Sequence, residues 1–443
     1  MQWSLQGSCR AILLAAACAA TTCAQAQQGL LLSGVGPINR SMGGASTAAP
    51  IDASGALHWN PASIMGLKQS ELQFGVELLY PQMELGSSVE AGALGGGFPP
   101  VPLSGSTDSN SGAFAIPTVG FVYRPPDQSW ALGLGVFGIG GFGTNYAGSM
   151  SNPILTAPAP NGLGLGPLYS KLQLMQIAPT LAIQLTDNVS IGISPTITLA
   201  DLSLDPNFLD SPDDANGDTF ASYPLGTHGR TSWGLGVQAG IYVTTESAWN
   251  FGASIKSPQW MQTFHWSAAD ELGRPRDVRA HFDLPFIASL GTSYTGFERL
   301  TLAADARYYG YSSTQGFDAA GFNGTGAVTG LGWDSIFSLA MGGQYQATDD
   351  LSLRLGYVWN QNPIPDANTF YNVISPNILM HTVSCGLSYR IVTNCDVSLA
   401  YLHAFENSIS GPWALPVIGA LAGTSVSSKV SADAIIAGLT VKF

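Results

Sequence analysis

From residue 69 to the C-terminus, apolar and polar positions alternate with a period of two. Leu351, Leu353, Leu355, Tyr357 and Trp359 alternate with Ser352, Arg354, Gly356 and Val358. Val189, Ile191, Ile193, Pro195, Ile197 and Leu199 alternate with Ser190, Gly192, Ser194, Thr196 and Thr198. Trp233, Leu235, Val237, Ala239, Ile241 and Val243 do the same against Ser232, Gly234, Gly236, Gln238 and Gly240. Successive side chains of a strand point to opposite faces, so each segment presents one apolar face and one small or polar face. The pattern predicts about 14 strands. They lie near 69–80, 113–124, 129–142, 170–186, 188–201, 229–245, 248–260, 279–295, 298–312, 333–347, 349–361, 378–392, 395–408 and 426–443.

A soluble sandwich also alternates, but three features favour an all-β, antiparallel transmembrane barrel. The strands run to about 10–16 residues, and short turns alternate with long loops, as in outer-membrane barrels. Turns such as Thr186-Asp187-Asn188 contrast with loops near 85–112, 143–169, 202–228, 313–332, 362–377 and 409–425. The chain ends in Phe443, with Val441, Leu439, Ala437 and Ile435 behind it at alternate positions. A terminal aromatic closing an amphipathic strand looks like the signal that outer-membrane assembly machinery reads. Trp130, Trp233, Trp249, Trp260, Trp333 and Trp359 fall toward strand ends, where an interfacial girdle belongs.

Composition narrows the class. Of 443 residues, 45% are hydrophobic and 10% charged, against about 25% charged in a soluble domain. The net charge of −13 and only 16 Lys+Arg exclude phosphate-led nucleic-acid binding. The chain is too apolar and aromatic for disorder. After residue 30 no apolar run is long enough for a membrane helix, which needs about 20 residues.

Residues 1–26 read as a secretory signal peptide: Arg10, a short apolar core from Ala11, and the Ala24-Gln25-Ala26 cleavage site. Three of the five cysteines leave with it. Cys385 and Cys395 remain, but a turn near Thr393-Asn394 sets Cys385 opposite a residue near Tyr401 rather than Cys395, so no cross-strand disulfide is expected. Residues 27–68 lack sustained alternation and are rich in Gly, Ala and Ser, with small helices expected near 38–56. Their place is inside the lumen of a barrel formed by 69–443, as a plug or hatch.

Gly36-Pro37-Ile38-Asn39-Arg40-Ser41-Met42-Gly43-Gly44-Ala45 is followed by Asp52-Ala53-Ser54-Gly55-Ala56 and His58-Trp59-Asn60-Pro61-Ala62. Later come Leu284-Pro285, Tyr309-Gly310-Tyr311-Ser312 and Asn362-Pro363-Ile364-Pro365-Asp366. This ordered set resembles the FadL/TodX outer-membrane transport family over essentially the whole mature chain. The resemblance implies a monomeric 14-stranded barrel in the bacterial outer membrane that passes long-chain fatty acids or other hydrophobic compounds without an energy source. It implies solute entering from the lipopolysaccharide side into an apolar lumenal pocket. Rearrangement of the hatch then releases the solute sideways through a kinked third strand. By motif match it assigns Asn60, Pro61 and Ala62 to a hatch contact beside the kink, and Gly29, Leu30 and Leu31 to the pocket-facing N-terminus.

Glycine weakens a strand and often marks a bulge. In the third strand this makes Gly138, Gly140 and Gly141 the kink candidates, although small lumenal residues also simply make room for a plug. Gly133 to Gly138 matches a dinucleotide-binding glycine pattern in form, but no helix follows it. A fatty acid calls for a cation near its carboxylate. Lys256 and Arg279 are considered for that contact, with Arg274 and Arg276, all toward an outer loop; neutral alkanes or aromatics stay open beside fatty acids. The acidic run Asp210, Asp213, Asp214 and Asp218 suits either a solvated loop or a divalent ion. The six His show no metal spacing, and no cofactor or catalytic residue is assigned. A general diffusion porin and, behind it, a barrel enzyme are the alternatives.

Overall fold

The computed structural model describes residues 28–416 and 418–443, so the signal-peptide assignment and its three cysteines lie outside the described residues. Fourteen antiparallel strands close into one barrel. β1 is Glu71–Val89, β2 Phe114–Tyr123, β3 Trp130–Tyr146, β4 Leu168–Thr186 and β5 Val189–Asp205. β6 is Gly226–Thr244, β7 Trp249–Lys256, β8 Ile287–Tyr294, β9 Leu300–Tyr309 and β10 Ile336–Gln346. β11 is Leu351–Asn360, β12 His381–Val392, β13 Cys395–Leu415 and β14 Gly419–Lys442. Each pairs with its neighbours in sequence, and β1 closes the ring on β14 from Glu71↔Lys442 to Val89↔Thr424.

The barrel is a globular protein turned inside out. On β5, Ile191 and Ile193 are 41% and 51% exposed, while Ser194, Thr196 and Thr198 on the opposite face are fully buried. The apolar face meets lipid; the polar face meets the lumen, where hydroxyls find partners. Thr196 and Thr198, for example, both donate to Gln259 Oε1. Phe443 stacks on Phe121 at 6.3 Å and its amide donates to Ser70 O, fixing the last strand beside the first. Cys385 stands opposite Tyr401, and neither it nor Cys395 forms a disulfide.

Three local expectations fail for one reason. Strand β13–β14 continues as a tall hairpin through Leu415↔Gly419, so 409–425 is a paired extension rather than a long loop. Arg279 and Ala280, expected at the start of the 279–295 strand, belong instead to a hairpin of Pro275–Ala280 with Phe264–Ala269. Trp333, expected in the girdle, is buried under the outer loops, its indole donating to Asn372 Oδ1 at 2.7 Å. Beyond the membrane the loops build a small core of their own, and the two-environment pattern no longer governs which side chains face in.

Residues 28–67 fill the lumen. The helices α1 (Gly36–Ser41) and α2 (Ala53–Trp59) are followed by a 3₁₀ turn at Pro61–Gly66. Asp52 caps α2 by accepting from Gly55 N. Asn60 ends α2 and caps the next turn, with Pro61 where a missing N–H does no harm. The wall receives this segment on glycines: a Cβ at Gly192 would overlap Pro61, and one at Gly356 would overlap Gly43 N.

Candidate functional site

The wall is interrupted between β2 and β3. β2 and β3 pair from Tyr123↔Leu132 up to Thr118↔Phe137 and no further. β3 continues against β4 to Tyr146↔Leu168, with its register shifted between Gly138 and Gly140. Ile139 is the extra residue, and Gly141 follows at φ 145°, a conformation side chains rarely adopt. At the top of the gap Asn110 N donates to Asn145 O at 2.8 Å, and Asn145 Nδ2 donates to Asn110 O at 3.0 Å. A window without backbone pairing therefore lies between these bonds and the Thr118–Phe137 ladder.

The two strands overlap in depth at the window. Ile116 and Phe114 carry the inward parity of β2, alternating register with Thr118 and Gly120 against the hatch. Their side chains meet β3 at Gly138 and Gly143, where a Cβ would overlap them. Gly138 has the outward parity of Leu132 and Leu134, so β3 has bent inside β2.

Inside the window the start of the described chain completes the strand. Leu31 bridges to Gly140, Leu32 N donates to Ile139 O at 2.9 Å, and Gly141 N donates to Leu30 O at 3.1 Å. This segment is tethered at Gln28, whose Nε2 donates to Ser338 Oγ at 2.7 Å and whose carbonyl accepts from Tyr311 OH at 2.8 Å. Tyr309 OH also donates to Gln28 Oε1.

A cavity of about 370 Å³ lies at the window. Leu32, Leu79, Met83 and Val430 line it from the lumen, Phe114 and Ile116 from β2. Met175 and Leu199, on the outward register of β4 and β5, line its far side. Among the described side chains, Asp201 is its one charged residue, and no Lys, Arg or His lines it. Under the outer loops a second cavity of about 270 Å³ is lined by Leu202, Leu204, Phe282, Phe317 and Leu331, with His281 and Asn323 among its polar members. Behind Leu31 and Leu32, a space of about 20 Å³ is bordered by His58, Trp59 and Lys256.

Charged lumenal residues hold the hatch. Arg40 pairs with Glu77 at 2.6 Å, both buried. Asp305 accepts from Ser46 N, Thr47 N and Thr47 Oγ1, and from Arg307 Nη2 at 2.5 Å. The same guanidinium donates to Gly44 O and lies 3.5 Å over the Trp59 ring.

Several site expectations are corrected. Asn60 donates to Thr47 O at 2.8 Å and Ile241 O at 2.9 Å, and Pro61 lies on Gly192, so the Asn60-Pro61-Ala62 turn is anchored on β5 and β6. Gly29 and Leu30 do not line the main cavity: Gly29 turns beneath Tyr311 at φ 62° and Leu30 is buried behind it. Leu31 borders the small space, and Leu32, which the motif match passed over, reaches the main one. Lys256 is not toward a loop but buried in the lumen, 3.5 Å from His58 Nδ1. Arg279 is outside the lumen, on the outer hairpin, pairing with Asp277 at 2.7 Å. That hydrogen bond holds the Asp277 carboxyl below its usual range. Gly138, Gly140 and Gly141 all sit at the register shift; Gly140 also makes room for Leu30 and Leu31. In the acidic loop Arg276 takes the place considered for a divalent ion, bonding Asp213 at 2.5 Å and Asp210 at 3.3 Å.

The family model for outer membrane protein transport protein (OMPP1/FadL/TodX) matches residues 14–443. The chain belongs to this family. It is therefore an outer-membrane protein of bacteria, of a family of transport proteins for hydrophobic compounds. Its fold is similar to that of a Pseudomonas aeruginosa FadL homologue, at 16% identity and a TM-score of 0.71, over 94% of this chain and 100% of that one. It is also similar to the P. putida toluene transporter TodX, at 18% identity and a TM-score of 0.67, over 93% and 99% of the two chains. The Ralstonia pickettii toluene transporter TbuX gives 17% identity and 0.66 over 93% and 99%. No curated protein matches the chain in sequence.

Proposed function

We propose that the protein is a channel for passive uptake of hydrophobic compounds and that neutral hydrocarbons suit it better than fatty-acid anions. The observation that carries this reading is the lining of the window cavity, mostly apolar, with Gln173, Thr231 and Asn377 as neutral polar members and, among the described side chains, one carboxylate and no cation. Apolar burial of about 25 cal/mol per Å² holds such a solute, whereas a fatty-acid carboxylate beside Asp201 is repelled. Solute enters from the outer cavity, rests at the window and leaves sideways into the membrane. Release follows when residues 30–32 let go of β3. The protein works as a single barrel, delivered by assembly machinery that reads the strand ending in Phe443. Long-chain fatty acids are the second reading, favoured by Lys256. Among the described residues no carboxylate lies within ion-pair distance of it, and it stands just behind Leu31 and Leu32.

The test is uptake of labelled toluene and labelled oleate by cells lacking their own transporter, with assembly checked by heat-modifiable gel mobility. A Cβ at Gly138 lies 3.5 Å from Ile116 Cβ, a separation at which a disulfide forms (about 3.5–4.5 Å). Ile116→Cys with Gly138→Cys, in a Cys385→Ser, Cys395→Ser background, is therefore expected to lock the window when oxidised. Toluene uptake is then lost and returns with reductant. Unchanged uptake in the oxidised form rejects sideways exit. If wild-type protein carries neither solute faster than empty cells, the transport reading itself fails.

A further inference from the structure

Among the described residues, Phe142 and Leu172 are the two that line both the outer cavity and the window cavity. They are cross-strand partners on β3 and β4. Leu172 has the inward parity of β4, with Ser170, Leu174 and Gln176. Phe142 shares that side only because of the bulge. Below it, the inward residues of β3 are Ala131, Gly133, Gly135 and Phe137, all at odd positions. Ile139 adds one residue, the parity flips, and the even-numbered Phe142 turns into the lumen. The ring is half-buried, stands between Gly141 and Gly143, and among the described residues stacks on no other ring.

We propose that Phe142 is a specificity-determining partition: its ring divides the solute path in two and sets the length of solute that the window cavity holds. This rests on the uptake reading above and deepens it. A compact hydrocarbon such as a monoaromatic fits on one side of the ring. A long chain has to lie on both sides at once and displace it. The bulge thus does two things with one inserted residue: it parts the wall, and it supplies the side chain that measures what reaches the opening.

The experiment is competition of labelled toluene uptake by a series of n-alkylbenzenes, from ethylbenzene to dodecylbenzene, in cells carrying wild-type, Phe142→Ala or Phe142→Leu protein. Each methylene that finds apolar space tightens competition roughly fourfold. In wild-type protein that gain is expected to stop once the tail meets the ring. In Phe142→Ala it continues to longer tails, and in Phe142→Leu, which keeps most of the bulk, it stops near the wild-type length. Toluene uptake with the same stopping length in wild-type and Phe142→Ala protein overturns the partition and leaves the uptake reading standing. Absence of toluene uptake by wild-type protein overturns the uptake reading and the partition with it.

Discussion

Asn60 shows how one side chain serves three segments at once. Its Oδ1 accepts from Ala62 N, capping the turn after α2, while its Nδ2 ties the hatch to itself at Thr47 and to the wall at Ile241. Asn60→Ala takes a donor from the buried Thr47 carbonyl and the part-buried Ile241 carbonyl and removes a cap. The loss of about 1–3 kcal/mol falls on hatch docking, since the barrel ladder is untouched. Amide exchange at residues 47 and 62 is expected to rise ten- to a hundredfold in the variant while heat-modifiable mobility stays normal; unchanged exchange rejects the assigned role. Gly140 is limiting in a different way. A side chain there runs into Leu30 O. Gly140→Val is expected to free residues 30–32 from β3, read as faster exchange at Leu32 N, which otherwise donates to Ile139 O.

β3 is the strand in which a local irregularity has consequences at a distance. Its inserted residue ends the ladder with β2, leaves a free edge that residues 30–32 occupy, and reverses which side chains face the lumen above it. Deleting Ile139 restores the plain alternation. The shortened strand is expected to pair with β2 beyond Thr118 and close the window, with Phe142 still opposite Leu172 and facing the lumen. Toluene uptake should fall to the level of empty cells with the barrel still assembled. Uptake at the wild-type rate in an assembled deletion variant contradicts the proposed exit.

The barrel closes around residues 28–67, and their docking is expected to decide whether the lumen conducts. Arg40 and Glu77 are both buried, and removing one partner of such a pair costs about 3–5 kcal/mol because the other charge is stranded. In planar bilayers wild-type protein is expected to show little ion conductance, and Arg40→Ala to show frequent open events. The double variant Arg40→Met, Glu77→Met, which strands no charge, should be quieter than the single one. A steady porin-like conductance in wild-type protein argues against the plugged lumen as the resting state.

Much of this was legible in the chain. A strand between lipid and a lumen must alternate, so the alternation, with the strand lengths, the short turns and the terminal Phe443, yields the barrel and about 14 strands, and the turn near Thr393-Asn394 sets Cys385 near Tyr401. Glycine is tolerated in such a strand only where a bend or a close approach demands it, which is why Gly138, Gly140 and Gly141 stand out before any fold is drawn. Periodicity carries no information beyond the membrane, where the outer hairpins, the burial of Trp333 and the pairing of Arg279 with Asp277 depend on loop-to-loop contacts. Nor does a motif say what it touches. That Asn60 rests on β6 while Leu32 reaches the window follows from how the hatch folds back on itself inside the ring. The side that Phe142 faces was equally hidden, because a single inserted residue inverts the parity of everything after it, and only the register against β4 reveals where that residue lies.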